Sequence, residues 1–207
     1  MHPVTDQDRS YRAVVFDMGG VLVELGPLTE ILGDDPLPAD EFWSRWLLSP
    51  AVRDFERGRC SSDEFGERIV VELGLSFTGT EMIRRFADWP KGLFDGAKQL
   101  VADLPRDLEV GVLSNTNALH WNGQRQHVDV QRLFTRTYLS YELDMVKPDA
   151  EIFAHIVADL ACDPHEVMYF DDNQLNVDAA LGYGIDAALA KHPGDCRAAL
   201  VERGVLR

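Results

Sequence analysis

The chain has 207 residues, 45% of them hydrophobic, with 35 acidic against 20 basic side chains and a formal net charge of −15. That length and apolar content suit one α/β core with a modest insertion, and the charge excludes a nucleic-acid partner, which needs Lys and Arg to displace counterions. No apolar run approaches the ~18 residues of a membrane-spanning helix, so a membrane partner is excluded as well.

The segment from Met1 to Asp8 is polar and acidic and lacks the apolar core of a secretory signal, so none is expected. Cys60, Cys162 and Cys196 are far apart and form no CxxC pair. Unpaired thiols in a reducing, cytoplasmic compartment are the reading that fits. The first element is Ala13-Val14-Val15-Phe16, an apolar, β-prone run with the signature of a buried strand. It ends in Asp17-Met18-Gly19-Gly20-Val21-Leu22. A carboxylate at the C-terminal end of a buried strand stands where open α/β sheets bind ligands. Gly19 and Gly20 let backbone N–H groups approach an anion closely. Taken alone, the segment fits a strand-ending Asp in an ordinary turn at least as well.

From about residue 26 to 90 the pattern reads helical. Phe42, Trp46 and Leu47 share one stripe of a first helix. A second opens at Ser62-Asp63-Glu64-Phe65, with Ser61 or Ser62 as N-cap and Phe65, Ile69 and Val70 or Leu73 on its apolar face. Thr80 caps a third that runs to about Trp89, and Pro36, Pro38, Pro50 and Gly58 punctuate the loops. From Leu93 onward strands and helices alternate. Residues 97–104 read as helix, 108–113 as strand, 117–134 as mostly helix, 137–139 as a short strand and 149–160 as helix. A strand follows at 167–170, then a helix at 176–183 closed by Gly184, and a last strand at 185–189. This alternation predicts a parallel, doubly wound sheet.

Three more segments carry chemistry at strand ends. The strand Glu109-Val110-Gly111-Val112-Leu113 ends in Ser114-Asn115-Thr116-Asn117, Lys147-Pro148-Asp149 precedes a helix, and Val167-Met168-Tyr169-Phe170 ends in Asp171-Asp172-Asn173. In a parallel sheet all strand C-termini share one edge, so these groups can converge. Carboxylates, a hydroxyl and a lysine meeting there make a phosphate-handling site. Each piece alone also fits a bland role: a helix-start pair at Ser114-Asn115, a solvated lysine before a helix at Lys147-Pro148, an N-cap pair at Asp171-Asp172.

In this order the four segments resemble the four motifs of the haloacid dehalogenase superfamily, over roughly residues 11 to 192. Asp17-Met18-Gly19-Gly20-Val21-Leu22 is similar to motif I, Leu113-Ser114-Asn115 to motif II, Lys147-Pro148 to motif III and Asp171-Asp172-Asn173 with Asn176 to motif IV. Within the superfamily the phrases Leu113-Ser114-Asn115-Thr116-Asn117, Tyr138-Leu139-Ser140 and Phe170-Asp171-Asp172-Asn173 resemble the glucose-1-phosphate phosphatase-like branch. The resemblance implies a Rossmann-like α/β core, residues 1–25 and 91–207, with a small helical cap at 26–90 inserted after the first strand. It implies a phosphatase acting on a small phosphate monoester, a sugar phosphate and in particular an anomeric one, as a monomer or homodimer.

The roles it implies are specific. Asp17 is the nucleophile that forms an aspartyl-phosphate, and with Asp172 and the backbone carbonyl of Gly19 it binds Mg²⁺, a hard cation that takes oxygen ligands. Ser114 and Asn115 hold the phosphoryl oxygens, together with Gly20. Lys147 neutralises charge as a point cation, and Asp171 orients the metal's waters or Lys147. Asn173 and Asn176 read as loop and cap residues, and His120 as a structural histidine. One departure stands out: phosphatases of the superfamily usually carry a second Asp as general acid where this chain has Gly19. General acid–base catalysis is worth roughly 10²–10⁴-fold, so esters with good leaving groups (anomeric, acyl, phenolic) become the preferred substrates. Glu56 and Arg57, in a Glu-Arg-Gly phrase of the cap, are the candidates to reach the substrate instead. Two alternatives stay open: a metal-free 2-haloacid dehalogenase, disfavoured by the Asp171-Asp172 pair, and a non-enzymatic domain whose Trp43, Trp46 and Trp89 form a docking face.

Overall fold

The computed structural model describes residues 11–33, 35, 37–123, 130 and 132–207. Among them the strands are β1 (Ala13–Phe16), β2 (Val23–Leu25), β3 (Pro90–Leu93), β4 (Glu109–Ser114), β5 (Arg136–Leu139), β6 (Val167–Asp171) and β7 (Asp186–Leu189). Five form one sheet in the order β5-β4-β1-β6-β7, every neighbouring pair parallel. β1 lies at its centre, all four residues buried. Its side chains alternate between two clusters: Val14 and Phe16 face one layer, Ala13 and Val15 the other. A strand buried on both faces needs apolar residues at every position, and β1 has them.

Helices cover both faces. On the Phe16 side lie α6 (Ala97–Asp103), α7 (Ala118–Gly123) and α11 (Pro193–Glu202), through Ala97, Leu100, Trp121, Cys196 and Leu200. On the Val15 side lie α9 (Ala150–Leu160) and α10 (Gln174–Tyr183), through Ile152, Phe153, Ile156, Val177 and Ala180. A short α8 (Ser140–Leu143) follows β5. The doubly wound parallel core is thus the architecture the alternation predicts. Asn173 caps α10 through its side chain and Gly184 closes it in the left-handed conformation. The helix expected over 117–134 is observed as α7; its residues 124–129 and 131 lie outside the described residues, as do Pro36 and the segment Met1 to Asp8.

Between β2 and β3, which pair antiparallel, the chain forms α1 (Leu28–Leu32), α2 (Ala39–Leu48), α3 (Pro50–Glu56), α4 (Ser62–Leu73) and α5 (Gly79–Ala87). Their apolar faces make a third cluster around Phe42, Trp46, Phe55, Phe65 and Phe86. Phe55 stacks on Phe65 at 4.4 Å between centroids. Trp46 and Trp89 are buried in this cluster, whereas Trp43 is 39% exposed and packs against Trp89 at 5.8 Å, so two of the three tryptophans fill a core and form no joint docking face with the third.

Several local readings change. Pro50 does not break the chain; it sits in the first turn of α3, where a missing N–H costs nothing, and Ser49 caps that turn by accepting from the Val52 N–H at 3.1 Å. The N-cap of α5 is Thr78, whose hydroxyl accepts from Glu81 N–H at 3.2 Å, and Thr80 lies inside the first turn. Ser61 closes a full capping box with Glu64 at the start of α4. The β2–β3 hairpin and α11 were not legible in the pattern.

Candidate active site

The register of the sheet assembles the site. Phe16 lies opposite both Val112 and Phe170, so the next residues along, Asp17, Leu113-Ser114 and Asp171, leave the sheet at one edge. Asp17 extends the ladder by donating its N–H to Phe170 O at 2.7 Å. The lysine comes from the loop before α9. Its ammonium donates to Asp17 Oδ1 at 2.6 Å and to Asp171 Oδ2 at 2.7 Å. Asp17, Ser114, Lys147 and Asp171 are all buried, and Asp172 is partly exposed at the mouth.

Burial alone would drive the Lys147 ammonium towards neutrality, but the carboxylates of Asp17 and Asp171 overrule it and hold the charge above the ordinary lysine range. Burial pushes the Asp17 carboxyl upward against the pull of Lys147, and Asp171 and Asp172 push the same way. Asp172 rises to about 6, through burial and then the charge of Asp171. Three carboxyls thus crowd around the Lys147 ammonium, and the charge of Lys191 comes last among the influences on Asp172. Oxygens of Asp17, Asp171 and Asp172 all lie within 4.8 Å of one another, a donor set suited to a hard divalent cation.

Asp171 is already heavily engaged. It accepts from Lys147, from the Tyr169 hydroxyl, from Asn173 N–H at 2.9 Å and from Asn176 Nδ2 at 3.1 Å on each oxygen. A carboxylate has about four acceptor sites, so these donors commit Asp171 to Lys147, Tyr169, Asn173 and Asn176. Tyr169 is a partner of Asp171 that the sequence did not single out, and Asn176 plays a larger part than expected. Asn176 is more than a loop or cap residue, and its signal was its place one turn into the helix that follows the Asp pair.

Two expected contacts take other forms. The Gly20 N–H does not face an anion; it donates to Val23 O at 2.8 Å and closes the turn after β1. Glycine is required there because φ is +79° and a Cβ would meet Asp172 Oδ2 at 2.3 Å. Arg57 does not point to the strand ends. It donates to Asp144 O at 2.6 Å, Asp149 Oδ2 at 2.6 Å and Glu151 Oε1 at 2.9 Å, joining the end of α3 to the core, where Arg53 also reaches Asp149 at 2.7 Å. Glu56, about 100° around the helix from it, turns inward. Its Oε2 accepts from Asn115 Nδ2 at 3.1 Å, and Asn115 also binds both backbone groups of Lys147, at 2.9 and 3.1 Å. Burial pushes the Glu56 carboxyl up to about 7, against the pull of Lys147 and Arg53. His120 is structural: its Nε2 lies 2.7 Å from Phe86 O and must carry the proton, since a carbonyl only accepts.

The fold and this edge define a hydrolase with an α/β core, its charged groups gathered at the strand C-termini beneath a helical layer. A family model described as haloacid dehalogenase-like hydrolase matches residues 11–184, and the chain belongs to that family. Among curated proteins the chain is 24% identical to a D-ribitol-5-phosphate phosphatase of Bacteroides thetaiotaomicron, over 89% of this chain and 94% of that protein. It is 26% identical to a sesquiterpene phosphatase of Aspergillus oryzae, over 85% and 88%. A haloacid dehalogenase family enzyme of Bacteroides thetaiotaomicron, solved with magnesium and inorganic phosphate, superposes with a TM-score of 0.67 at 26% identity, covering 86% of this chain and 93% of that one.

Proposed function

We propose that the protein is a Mg²⁺-dependent phosphatase that hydrolyses a small phosphate monoester of the sugar or sugar-alcohol class through a phosphorylated Asp17. The observation that carries this is Lys147, buried and bridging Asp17 to Asp171 with Asp172 beside them. A carboxylate held in place by a fixed cation is a positioned nucleophile, and the same cation offsets charge on the transferring phosphoryl group. The D-ribitol-5-phosphate phosphatase supports the substrate class, and the relative solved with magnesium and phosphate supports the cation.

In this reading an oxygen of Asp17 attacks phosphorus in line with the leaving oxygen. Ser114 donates to a phosphoryl oxygen, Lys147 keeps Asp17 ionised and oriented, and Asp171 holds Lys147. Asp17, Asp172 and the Gly19 carbonyl would hold Mg²⁺, which supplies positive charge at the phosphoryl oxygens. The helices of residues 26–90 act as a cap that closes over the strand ends and excludes water.

The test is inorganic phosphate release from p-nitrophenyl phosphate, acetyl phosphate and hexose and pentitol phosphates with Mg²⁺. Turnover is expected to vanish on chelation and in Asp17→Asn. Turnover that survives either treatment refutes the mechanism, and halide release from a 2-haloacid without metal would favour the dehalogenase reading.

A further inference from the structure

We propose that Glu56 is the general acid and base of the reaction, supplied by the cap in place of the side chain missing at position 19. The proposal deepens the phosphatase reading above and rests on it.

Position 19 cannot supply a proton, and its surroundings are apolar: a Cβ built on Gly19 would meet Leu25 Cδ1 at 3.5 Å and Cδ2 at 3.7 Å. The acid must come from elsewhere. Asp17 is the nucleophile, Asp171 is saturated with donors, and Asp172 belongs to the cation-binding cluster. Glu56 is the remaining carboxyl tied to these strand ends. It touches Asn115, one residue from Ser114, and Asn115 in turn clamps the backbone of Lys147. The end of α3 that carries it is fixed from outside by Arg53 and Arg57 on Asp149. The carboxyl is therefore held at the cap–core seam on a clamped helix end, above the phosphate-binding strand end.

The charged groups facing Glu56 are Lys147 from the core and Arg53 from its own helix, with Asn115 as hydrogen-bond donor. Both cations favour ionisation, yet burial outweighs them and brings the group to about 7. A carboxyl balanced near neutrality can give a proton in one half-reaction and take one in the next.

The steps balance. As Asp17 attacks phosphorus and the bond to the leaving oxygen breaks, protonated Glu56 gives its proton to that oxygen, and the alcohol departs. Glu56, now a carboxylate, takes a proton from the water whose oxygen attacks the phosphorylated Asp17. The bond from phosphorus to Asp17 breaks, inorganic phosphate leaves, and Glu56 is protonated again. With this acid present, Gly19 no longer confines the enzyme to esters with good leaving groups.

The experiment compares wild type, Glu56→Gln, Glu56→Asp and Asp17→Asn with Mg²⁺, on glycerol 3-phosphate, whose alkoxide needs a proton, and on p-nitrophenyl phosphate, whose phenolate does not. Glu56→Gln keeps an oxygen that accepts from Asn115. It is expected to lose roughly 10²–10⁴-fold in kcat/KM on glycerol phosphate and less than about tenfold in kcat/KM on p-nitrophenyl phosphate. That parameter stops at release of the alcohol, whereas kcat falls on both esters because the water-attack step has lost its base. The alkaline limb of the wild-type pH–rate profile on glycerol phosphate should disappear in this variant, and Glu56→Asp should recover part of the rate. Equal losses in kcat/KM on the two esters, or no loss on either, overturn the proposal while leaving the phosphatase reading intact. A first-turnover burst of p-nitrophenol that persists in the variant is the control for folding. Wild type that releases phosphate from neither ester, nor from the other esters named above, overturns both readings.

Discussion

The loop from Asp144 to Glu151 feeds two ion clusters of similar composition and opposite setting. Lys147 turns inward to Asp17 and Asp171, with side chains 2%, 9% and 1% exposed. Asp144, Asp149 and Glu151 turn outward to Arg53, Arg57 and Arg59 of α3 and the turn after it, and there Arg53 and Asp149 are 34% and 33% exposed, Arg59 and Asp144 52% and 58%, and Arg57 13%. Water screens most of the outer set, so the pairs of Arg53 and Arg59 contribute little to stability, while Arg57 is better sheltered. The inner set is dry, so each group depends on its partners, and removing one strands the others. The same chemistry thus ties two segments together at a wetter surface in one place and builds a dry cluster at the strand ends in the other, and solvation separates the two.

The comparison can be broken by substitutions on either side. Lys147→Met leaves Asp17 and Asp171 buried without a cation. It should cost about 3–5 kcal/mol in chemical denaturation and abolish phosphate release, and a loss under about 1 kcal/mol would refute the picture of a dry cluster. Tyr169→Phe and Asn176→Ala each take a donor from Asp171 and should cost about 1–3 kcal/mol, with residual turnover above that of Asp17→Asn. On the seam, Asp149→Asn removes the shared partner of Arg53 and Arg57 and should cost at most about 1 kcal/mol. That cost should shrink in ~1 M salt, where the Debye length is about 3 Å; the cost in Lys147→Met should not.

A pH-dependent effect concerns Glu56, which stands between the two clusters. Its pKa is raised from 4.5 to about 7 in the folded protein, so the folded state binds more protons than the unfolded state across that window. Stability attributable to this group is therefore greatest below pH 4.5, is lost as pH rises, and is fully lost above about 7. The Tm of wild type should fall relative to Glu56→Gln between those limits. A Tm difference that stays constant with pH would show that Glu56 is not raised.

Much of the site was legible because strand ends are local features. Asp17, Ser114 and Asp171 each follow an apolar run directly, and a parallel sheet brings such ends together whatever joins them. Arg57 and Gly20 were misread for the opposite reason. Nothing local shows that Arg57 meets three groups on the loop near Lys147, nor that the Gly20 N–H turns back to Val23.

By itself, then, the order of apolar runs and polar strand ends determined the doubly wound core, the helical stretch at 26–90 and the family to which the chain belongs, since burial imposes its period on neighbouring residues. Tertiary structure alone decided which charges pair, which stay dry and which carboxyl of α3 accepts from Asn115. Lys147 and Asp17 lie 130 residues apart in the chain, and the worth of their contact comes from the water excluded around it, a property of the packed molecule that no stretch of sequence carries.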